Sequence, residues 1–238
     1  MSTEPRTSRL RTLFARPFAH RGLHGAGLTE NSRAAFRAAI EAGHGIELDV
    51  QATADGEAII FHDYELSRLT DASGKLAEMT AEALAETPLK GESEGLPTLT
   101  EILALIDGRS PLLIEVKSPG RRVAALSGAV ARATDSYMGP MAVMSFNPAV
   151  PRWFAHHRPD VLRGLVVTEE GRPERNRLKR RLSLWWSRAD FLGYDIRDLP
   201  SRFAKASGLP VATWTVRTEA QHATAGRHAN QIIYERAP

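Results

Sequence analysis

Three carboxylates stand at alternate positions of two apolar stretches of the sequence. Glu47 and Asp49 lie in GIELDV, and Glu115 lies in LLIEVK, two positions before Lys117. Because side chains two residues apart share one face of a strand, the apolar residues would face helices and the carboxylates the interior of a barrel. Three oxygen ligands suit a hard divalent cation such as Mg²⁺ or Ca²⁺. The alternative is a set of interior salt bridges with Lys117 and Arg21, but three acids on two strands favour the metal.

Two histidines at the ends of apolar stretches could move protons. His20 stands in AHRG beside Arg21, and His62 stands in IIFHD. Imidazole titrates near neutrality, so one histidine can take a proton from a nucleophile while the other gives one to a leaving oxygen. The guanidinium of Arg21 offers a planar fork that matches phosphate oxygens. A metal, an arginine, a lysine and two imidazoles are together the groups that phosphodiester cleavage requires.

These residues need elements that bring them together, and the sequence offers nine apolar stretches separated by helical patterns. The predicted strands span residues 17–21, 45–50, 58–61, 112–116, 142–145, 162–167, 190–194, 211–216 and 231–234. Alternation with helices predicts parallel βα units. The short connection 51–57 contains Asp55-Gly56, which favours an antiparallel hairpin with the third strand. Eight parallel strands remain, which predicts an α/β fold of the TIM (β/α)8 barrel class with its chemistry at the carboxyl ends of the strands.

The motifs AHRG, TENS, IELDV, FHD, IEVK, SFNP and WTV occur in this order along the chain. In this combination the sequence resembles the glycerophosphodiester phosphodiesterase family over about residues 17–235. The resemblance implies a TIM barrel with a small insertion after the HD motif, which hydrolyses glycerophosphodiesters to an alcohol and glycerol 3-phosphate. It also implies a mechanism in which a glycerol hydroxyl attacks the phosphorus and water then opens the cyclic phosphate.

The resemblance assigns a role to each matching position of this chain. The residues so implied are, for the divalent metal ion (Mg²⁺ or Ca²⁺), Glu47, Asp49 and Glu115; for acid/base catalysis, His20 and His62; and for the phosphate, Arg21 and Lys117. Trp214 in ATWTV resembles the tryptophan that lines the family's substrate pocket, although packing in the core explains it equally well. Glu30 and Asn31 resemble the family's Glu-Asn pair, with support of the metal site and helix capping as the two interpretations.

The polar stretch 63–97 is too long for an ordinary connection between barrel elements. Its helical pieces and the GESEGLP loop predict a small lid-like insertion over the mouth of the barrel. The chain departs from the family pattern where Thr29 stands for the usual proline before Glu-Asn. It departs again where the usual TD-x-P ending reads YERAP, with Glu235 as its acid. The loop that closes the barrel can therefore differ in shape from that of the family, and the substrate preference can differ as well.

Composition limits the domain organisation and the setting of the protein. With 238 residues and 42% hydrophobic content, residues 1–238 are predicted to form a single catalytic barrel domain. The absence of cysteine excludes disulfides, thiolate zinc sites and cysteine nucleophiles. A net charge of +3 tolerates an anionic small-molecule substrate but is too low for a dedicated nucleic-acid binder. The sequence contains no signal-peptide or membrane-spanning apolar run, so a soluble cytoplasmic protein is expected.

The basic stretch 172–186, RPERNRLKRRLSLWW, holds six cations against the single acid Glu174. The favoured interpretation is a solvated helix whose leucines and tryptophans pack on the barrel. The alternative is a weak contact with an anionic membrane surface, which would make lysophospholipids plausible substrates. Nucleic acid is not expected as a partner, because no aromatic-interleaved platform accompanies the charge.

Three functions are therefore considered. The first is metal-dependent cleavage of water-soluble glycerophosphodiesters, and the second is a lysophospholipase D-like or phospholipase-like activity at the same site. The third is a catalytically silent barrel that binds phosphorylated ligands. Both histidines and all three carboxylates are present, which argues against the silent barrel, because a binding protein needs the cations but not a matched acid/base pair.

Overall fold

In the computed structural model, eight parallel strands close into a barrel that helices surround. Residues 4–25, 27–169 and 177–235 are described. Around the barrel the strand order is β1-β9-β8-β7-β6-β5-β4-β2, and β1 pairs with β2 to close it. The strands are β1 Phe18–His20, β2 Gly45–Ala52, β3 Ala58–Ile60, β4 Leu112–Val116, β5 Met141–Ser145, β6 Leu162–Val167, β7 Phe191–Asp195, β8 Val211–Val216 and β9 Gln231–Tyr234. The predicted α/β TIM barrel is confirmed, with each strand close to its predicted position.

Helices connect the parallel strands, as the sequence pattern predicts. The helices are α1 Arg6–Leu13, α2 Arg33–Glu41, α3 Ala81–Ala85, α4 Leu99–Ile106, α5 Ala124–Ala133, α6 Ala149–His157, α7 Arg177–Ser187, α8 Arg202–Ser207 and α9 Glu219–His228. Short 3-10 turns lie at Leu76–Glu78 and Ile196–Asp198. Thr98 and Glu101 form a capping box that fixes the start of α4. Among the described helices, none combines the length and the apolar character needed to cross a membrane.

The third strand is the predicted hairpin arm. β3 pairs antiparallel with the end of β2, with Val50 opposite Ile60 and Ala52 opposite Ala58. Gly56 in the connecting turn has a φ of 84°, a conformation that glycine adopts without steric penalty. The hairpin extends β2 beyond the barrel rim and carries the chain to His62.

Strand side chains alternate between two apolar layers. Ile46, Leu48 and Val50 of β2 pack outward into a core shared with the helices. Inside the barrel, a second core contains Phe18 and Leu113 together with residues of the later strands. Because the outward positions of β2 and β4 are filled by aliphatic residues, the positions between them face inward, as the alternation predicts.

The predicted insertion has its own small core. Leu66, Leu76 and Leu84 pack with Ile59 and Phe61 of the hairpin arm in one buried cluster. The insertion therefore covers the outer side of β3. None of the described residues between 64 and 97 lines the cavity that contains His20 and His62, so this segment lies beside that cavity.

Helix α7 contains the described part of the basic stretch. Residues 172–176 lie outside the described residues. Leu184 packs against the core between the strands and the helices, as expected. Leu182 and Trp185 are 56% and 77% exposed, and Trp186 is 41% exposed. The prediction that the leucines and tryptophans of this stretch pack on the barrel is thus confirmed for Leu184 and wrong for Leu182 and Trp185.

Candidate active site

Strand register brings the predicted site residues to one rim of the barrel. His20 of β1 lies beside Glu47 of β2, and Asp49 of β2 lies beside Glu115 of β4. Lys117 follows the last residue of β4, and its backbone N–H donates to the carbonyl of Val50. Because all these strands are parallel, their carboxyl ends share one rim, which is the end where TIM barrels carry their active sites.

Glu47, Asp49 and Glu115 form a tight group, called here the carboxylate cluster. One oxygen of each lies within 4.8 Å of the others. Lys117 Nζ is 3.3 Å from Asp49 Oδ1 and 3.1 Å from Glu115 Oε1, and Arg21 Nε is 3.3 Å from Asp49 Oδ2. The interior salt bridges considered as an alternative are therefore present. They do not balance the site, however, because two cations face three carboxylates.

The imbalance appears in the pKa values of the cluster. Burial, together with repulsion from the other two acids, raises the pKa of Glu47 well above its usual value. Burial and the charge of Asp49 likewise raise the pKa of Glu115. For Asp49, burial acts in the same direction, but the charges of Lys117 and Arg21 outweigh it and lower the pKa to about 2. Two carboxylates thus lack enough positive charge nearby to ionise at their normal pH.

The donor chemistry of the carboxylate cluster fits a divalent cation. It offers oxygen ligands only, as Mg²⁺ and Ca²⁺ prefer, and a dication would supply the missing positive charge. His20, His24 and Glu235 also bring ligand atoms within 4.8 Å of one another. Glu235 is already satisfied there, because Arg217 Nε and Nη2 donate to its two oxygens at 2.6 and 3.0 Å. The carboxylate cluster is therefore the better metal site.

Each of the two predicted catalytic histidines is held by its own carboxylate. His20 Nδ1 lies 2.5 Å from Glu235 Oε1, and His62 Nδ1 lies 2.7 Å from Asp63 Oδ1. These contacts leave Nε2 of each ring available, and that of His20 is 3.9 Å from Glu47 Oε2. Burial lowers the pKa of both histidines, and the bonds to Glu235 and Asp63 only partly offset it. Both rings therefore hold a second proton less tightly than a free imidazole does, and their carboxylate partners favour the first proton on Nδ1.

Arg21 is fixed by a chain of ion pairs. Its Nη1 donates to Glu30 Oε1 at 2.7 Å, and Glu30 Oε1 also accepts from Arg68 Nη2 at 2.7 Å. Arg68 belongs to the insertion and pairs with Asp63, the partner of His62. Gly22 has a φ of 80°, and a Cβ there would lie 2.9 Å from the backbone of α2. The AHRG turn therefore needs this glycine to hold Arg21 against the site.

Asn31 and Ser32 divide the two roles that the sequence left open for this turn. Asn31 Nδ2 donates to Asp49 Oδ2 at 3.0 Å, so it supports the carboxylate cluster. Ser32 Oγ accepts from the backbone N–H of Ala35 and caps α2. Glu30 holds Arg21, as described above, and is not the capping residue.

A cavity of about 400 Å³, called here the central cavity, joins these groups. Its lining includes His20, Arg21, Glu47, His62, Glu115, Lys117 and Trp214. Asp49 is absent from this lining and lies behind it, paired with Arg21 and Lys117. Trp214 meets the ring of Phe146 edge-on at 5.5 Å, and its Nε1 is buried with no hydrogen-bond partner among the described residues. Trp214 therefore lines the cavity and packs against Phe146 at the same time.

Sequence reasoning did not give a role to Glu235 or Arg217. Glu235 was noticed only as the acid in an unusual chain ending. It lies two residues after Ile233, whose side chain points into the barrel, so the alternation of β9 could have placed it at the rim. Arg217 lines the central cavity just beyond β8. An arginine one residue past a strand end was the available signal.

Comparisons with known proteins match most of the chain to one family. The sequence model of the glycerophosphoryl diester phosphodiesterase family matches residues 20–231. A glycerophosphodiester phosphodiesterase of Caldanaerobacter subterraneus is 39% identical over 108 residues, which are 42% of this chain and 44% of that protein. Glycerophosphodiester phosphodiesterase 1 of Mus musculus is 31% identical over 190 residues, 75% of this chain and 56% of its own. The alignments thus span only about half the length of these curated relatives.

Solved structures show the same fold. A phosphodiesterase from Oleispira antarctica, in complex with the product sn-glycerol-3-phosphate, has a TM-score of 0.74 at 22% identity, with 91% of each chain covered. The glycerophosphodiester phosphodiesterase of Thermotoga maritima has a TM-score of 0.73 at 22% identity, covering 91% of this chain and 92% of the other. At 22% identity these two structures show that the chain shares their fold.

Proposed function

Because this chain belongs to the glycerophosphoryl diester phosphodiesterase family, we propose that it hydrolyses glycerophosphodiesters to an alcohol and glycerol 3-phosphate with the help of a divalent metal ion. The enzyme would be a phosphoric diester hydrolase whose substrate is a small molecule, and residues 1–238 would act as one catalytic domain. A cytoplasmic location stays a prediction, which cell fractionation would check.

The observation that carries the proposal is the joint arrangement of acids, bases and cations in the central cavity. Two acids of the carboxylate cluster line one cavity with two imidazoles, each of which has a carboxylate on Nδ1, and Arg21 and Lys117 line the same cavity. A site that only bound phosphate would need the cations, but it would have no use for two histidines prepared for proton transfer.

The carboxylate cluster would hold the metal, Mg²⁺ or Ca²⁺. When bound, the cation would supply positive charge that stabilises the charge developing on the phosphoryl oxygens. Arg21 and Lys117 would bind the phosphate oxygens and orient the phosphorus. Both residues already hold fixed positions through Glu30 and Asp49, so little order has to be created when substrate binds. Trp214 would contact the substrate as part of the lining of the central cavity.

Protons would pass through His20 and His62. In the first step a glycerol hydroxyl gives its proton to Nε2 of one histidine, and its oxygen forms a bond to phosphorus. The bond from phosphorus to the alcohol oxygen breaks, and that oxygen takes a proton from Nε2 of the other histidine, which enters the cycle in its protonated, imidazolium form. In the second step a water molecule attacks the cyclic phosphate, the two histidines exchange roles, and the ring oxygen leaves as the glycerol hydroxyl. Each ring thereby returns to its starting protonation state.

The direct test follows glycerol 3-phosphate released from glycerophosphocholine in the presence of Mg²⁺ or Ca²⁺, with and without EDTA. We expect release that depends on the metal and stops with the chelator. A panel of glycerophosphodiesters with different alcohols would define the preference of the site. If no member of the panel were cleaved with either metal, the silent barrel would be the better interpretation.

A lysophospholipase D-like activity is the second candidate, and one feature favours it. A groove of about 930 Å³, called here the side groove, is lined by Glu115 and Lys117 and also by Phe146 and Trp186. Phe146 is 46% exposed, so the groove offers apolar contacts to a chain that extends from the reacting phosphate. Faster cleavage of lysophosphatidylcholine than of glycerophosphocholine would favour this candidate, and the reverse order would favour the first.

A further inference from the structure

Helix α7 exposes several large apolar side chains to solvent. Leu178, Leu182 and Trp185 are 69%, 56% and 77% exposed, and Trp186 is 41% exposed. Positions 178, 182 and 185 follow the spacing that places residues on one side of a helix. Together with Trp186, which is next to them, these side chains form what is called here the apolar arc.

The helix is anchored so that the apolar arc must face outward. On its inner side Leu184 packs into the core, and Ser187 is fully buried. Arg180 Nη2 pairs with Glu169 at 2.9 Å, and its guanidinium lies over the ring of Phe203, 5.8 Å from the ring centre. At about 100° per residue, these positions lie on the opposite side of the helix from Leu182 and Trp185. Turning the apolar arc inward would therefore break a core contact and an ion pair.

Basic residues border the apolar arc. Lys179 and Arg181 are exposed and, at about 100° per residue, lie at its two edges. The helix contains no acidic residue between 177 and 187. Beyond it, Arg152 lies over the ring of Trp186, 5.6 Å from the ring centre, and Arg188 is exposed next to the helix end. Positive charge thus surrounds an exposed leucine and tryptophan face.

We propose that α7 is a docking surface for an anionic lipid bilayer. Tryptophan and leucine side chains enter the boundary between headgroups and acyl chains, and bordering lysines and arginines attract anionic headgroups. The apolar arc and its basic border match these two requirements on one helix. A protein partner would explain the exposed apolar residues. It would not explain why cations stand on both sides of them, or why the helix contains no acidic residue.

Docking would also orient the barrel. Lys179 and Trp186 line the side groove together with Glu115 and Lys117, so the helix and the reaction centre border one continuous depression. With the apolar arc on the bilayer, this depression lies beside the lipid surface. The docking surface does not depend on which reaction the central cavity performs, and it is tested without an activity assay.

The test is flotation with vesicles of phosphatidylcholine, with and without phosphatidylglycerol, at about 0.1 M salt. We expect the protein to bind anionic vesicles, to bind neutral ones much less, and to lose binding as salt rises. Tryptophan emission should shift to the blue on binding, and the shift should be smaller in Trp185→Phe, in which Trp186 is the remaining tryptophan of the apolar arc. The double variants Leu182→Ser with Trp185→Ser, and Lys179→Glu with Arg181→Glu, should each weaken binding at least about tenfold.

Matched controls distinguish docking through α7 from a general effect of net charge or of exposed apolar side chains. Arg202→Glu with Lys205→Glu makes the same charge change on the exposed face of α8, and Met138→Ser removes a side chain that is 95% exposed. Both controls should bind vesicles like the parent protein, and all variants should keep its unfolding temperature. Equal vesicle binding by the α7 variants and the controls would overturn the proposal. So would self-association that the Leu182→Ser, Trp185→Ser variant abolishes without any vesicle binding by the parent protein, since α7 would then contact a second copy.

Discussion

Glu47 and Arg163 are both buried charged residues on barrel strands, but they lie at opposite ends of the barrel and differ in how far neighbouring charges compensate them. At the amino end, Arg163 Nη1 lies 3.6 Å from Asp190, and the guanidinium donates to the carbonyls of Arg188 and Val161. Arg6 Nη1 also lies 2.9 Å from Asp190, so the positive charge at this end is sufficient for the acid. At the carboxyl end, three carboxylates face two cations beside an open cavity.

The difference indicates which buried charges serve stability and which serve binding. The charge of Asp190 is compensated by Arg163 and Arg6 within the folded chain. The carboxylate cluster has more acids than cations, and the raised pKa values of Glu47 and Glu115 reflect that deficit of positive charge together with burial. Changes at the two ends should therefore separate activity from stability.

The largest effect is expected from the histidines at the carboxyl end. His20→Ala or His62→Ala should lower kcat by about 10²–10⁴, because each ring would transfer a proton in the reaction. The unfolding temperature should change little, which steady-state kinetics and circular dichroism would establish together. His156→Ala, at an exposed histidine of α6, is the matched control and should keep full activity. Normal turnover in either test variant would remove that histidine from the mechanism.

The opposite result is expected at the amino end. Among the described residues, Arg163→Met leaves Asp190 with Arg6 as its ion-pair partner, and loss of a buried partner costs about 3 kcal/mol in the free energy of unfolding. For a chain of this size the unfolding temperature should fall by roughly 6–12 °C. Below the transition, kcat should match that of the parent protein. A large loss of activity at full stability would show that the division between the two ends is wrong.

A smaller effect is expected from the carboxylate behind His20. Glu235→Gln keeps the shape of the side chain, but it removes the charge that orients the ring and raises its pKa against the effect of burial. Turnover should fall about tenfold, at the lower end of what loss of an orienting partner costs. Because the pKa of His20 falls further, the acidic limb of kcat/KM should move to lower pH. An unchanged limb would mean that His20 does not set it.

The smallest effect concerns the stability of the metal-free protein. The pKa of Glu47 is higher in the folded chain than in the unfolded one, so this group stabilises the fold at low pH, and the contribution is lost as pH rises. With EDTA, Glu47→Gln should therefore unfold a few degrees higher than the parent protein at about pH 8, with little difference at about pH 5. Mg²⁺ or Ca²⁺ should stabilise the parent more at the higher pH and the variant hardly at all. Equal metal shifts in both proteins would exclude Glu47 as a ligand.

Local rules predicted most of the fold. The alternation in GIELDV and LLIEVK indicated which side chains point into the barrel, and Asp55-Gly56 indicated the hairpin that makes β3 antiparallel. The same rules failed on α7. The sequence shows that Leu182, Leu184 and Trp185 are apolar residues of a predicted helix. It does not show which of them pack against the barrel, because that depends on how the helix is rotated about its axis.

The sequence by itself determined the residue types of the site and the inward direction of Glu47, Asp49 and Glu115, because that direction follows from the stereochemistry of single strands. Only the tertiary structure decided that Asp49 lies beside Glu115, and that Glu235 reaches His20 across 215 positions of the chain. These contacts depend on the register between strands and on barrel closure. Both arise from the packing of the whole domain and leave no signal in any short segment.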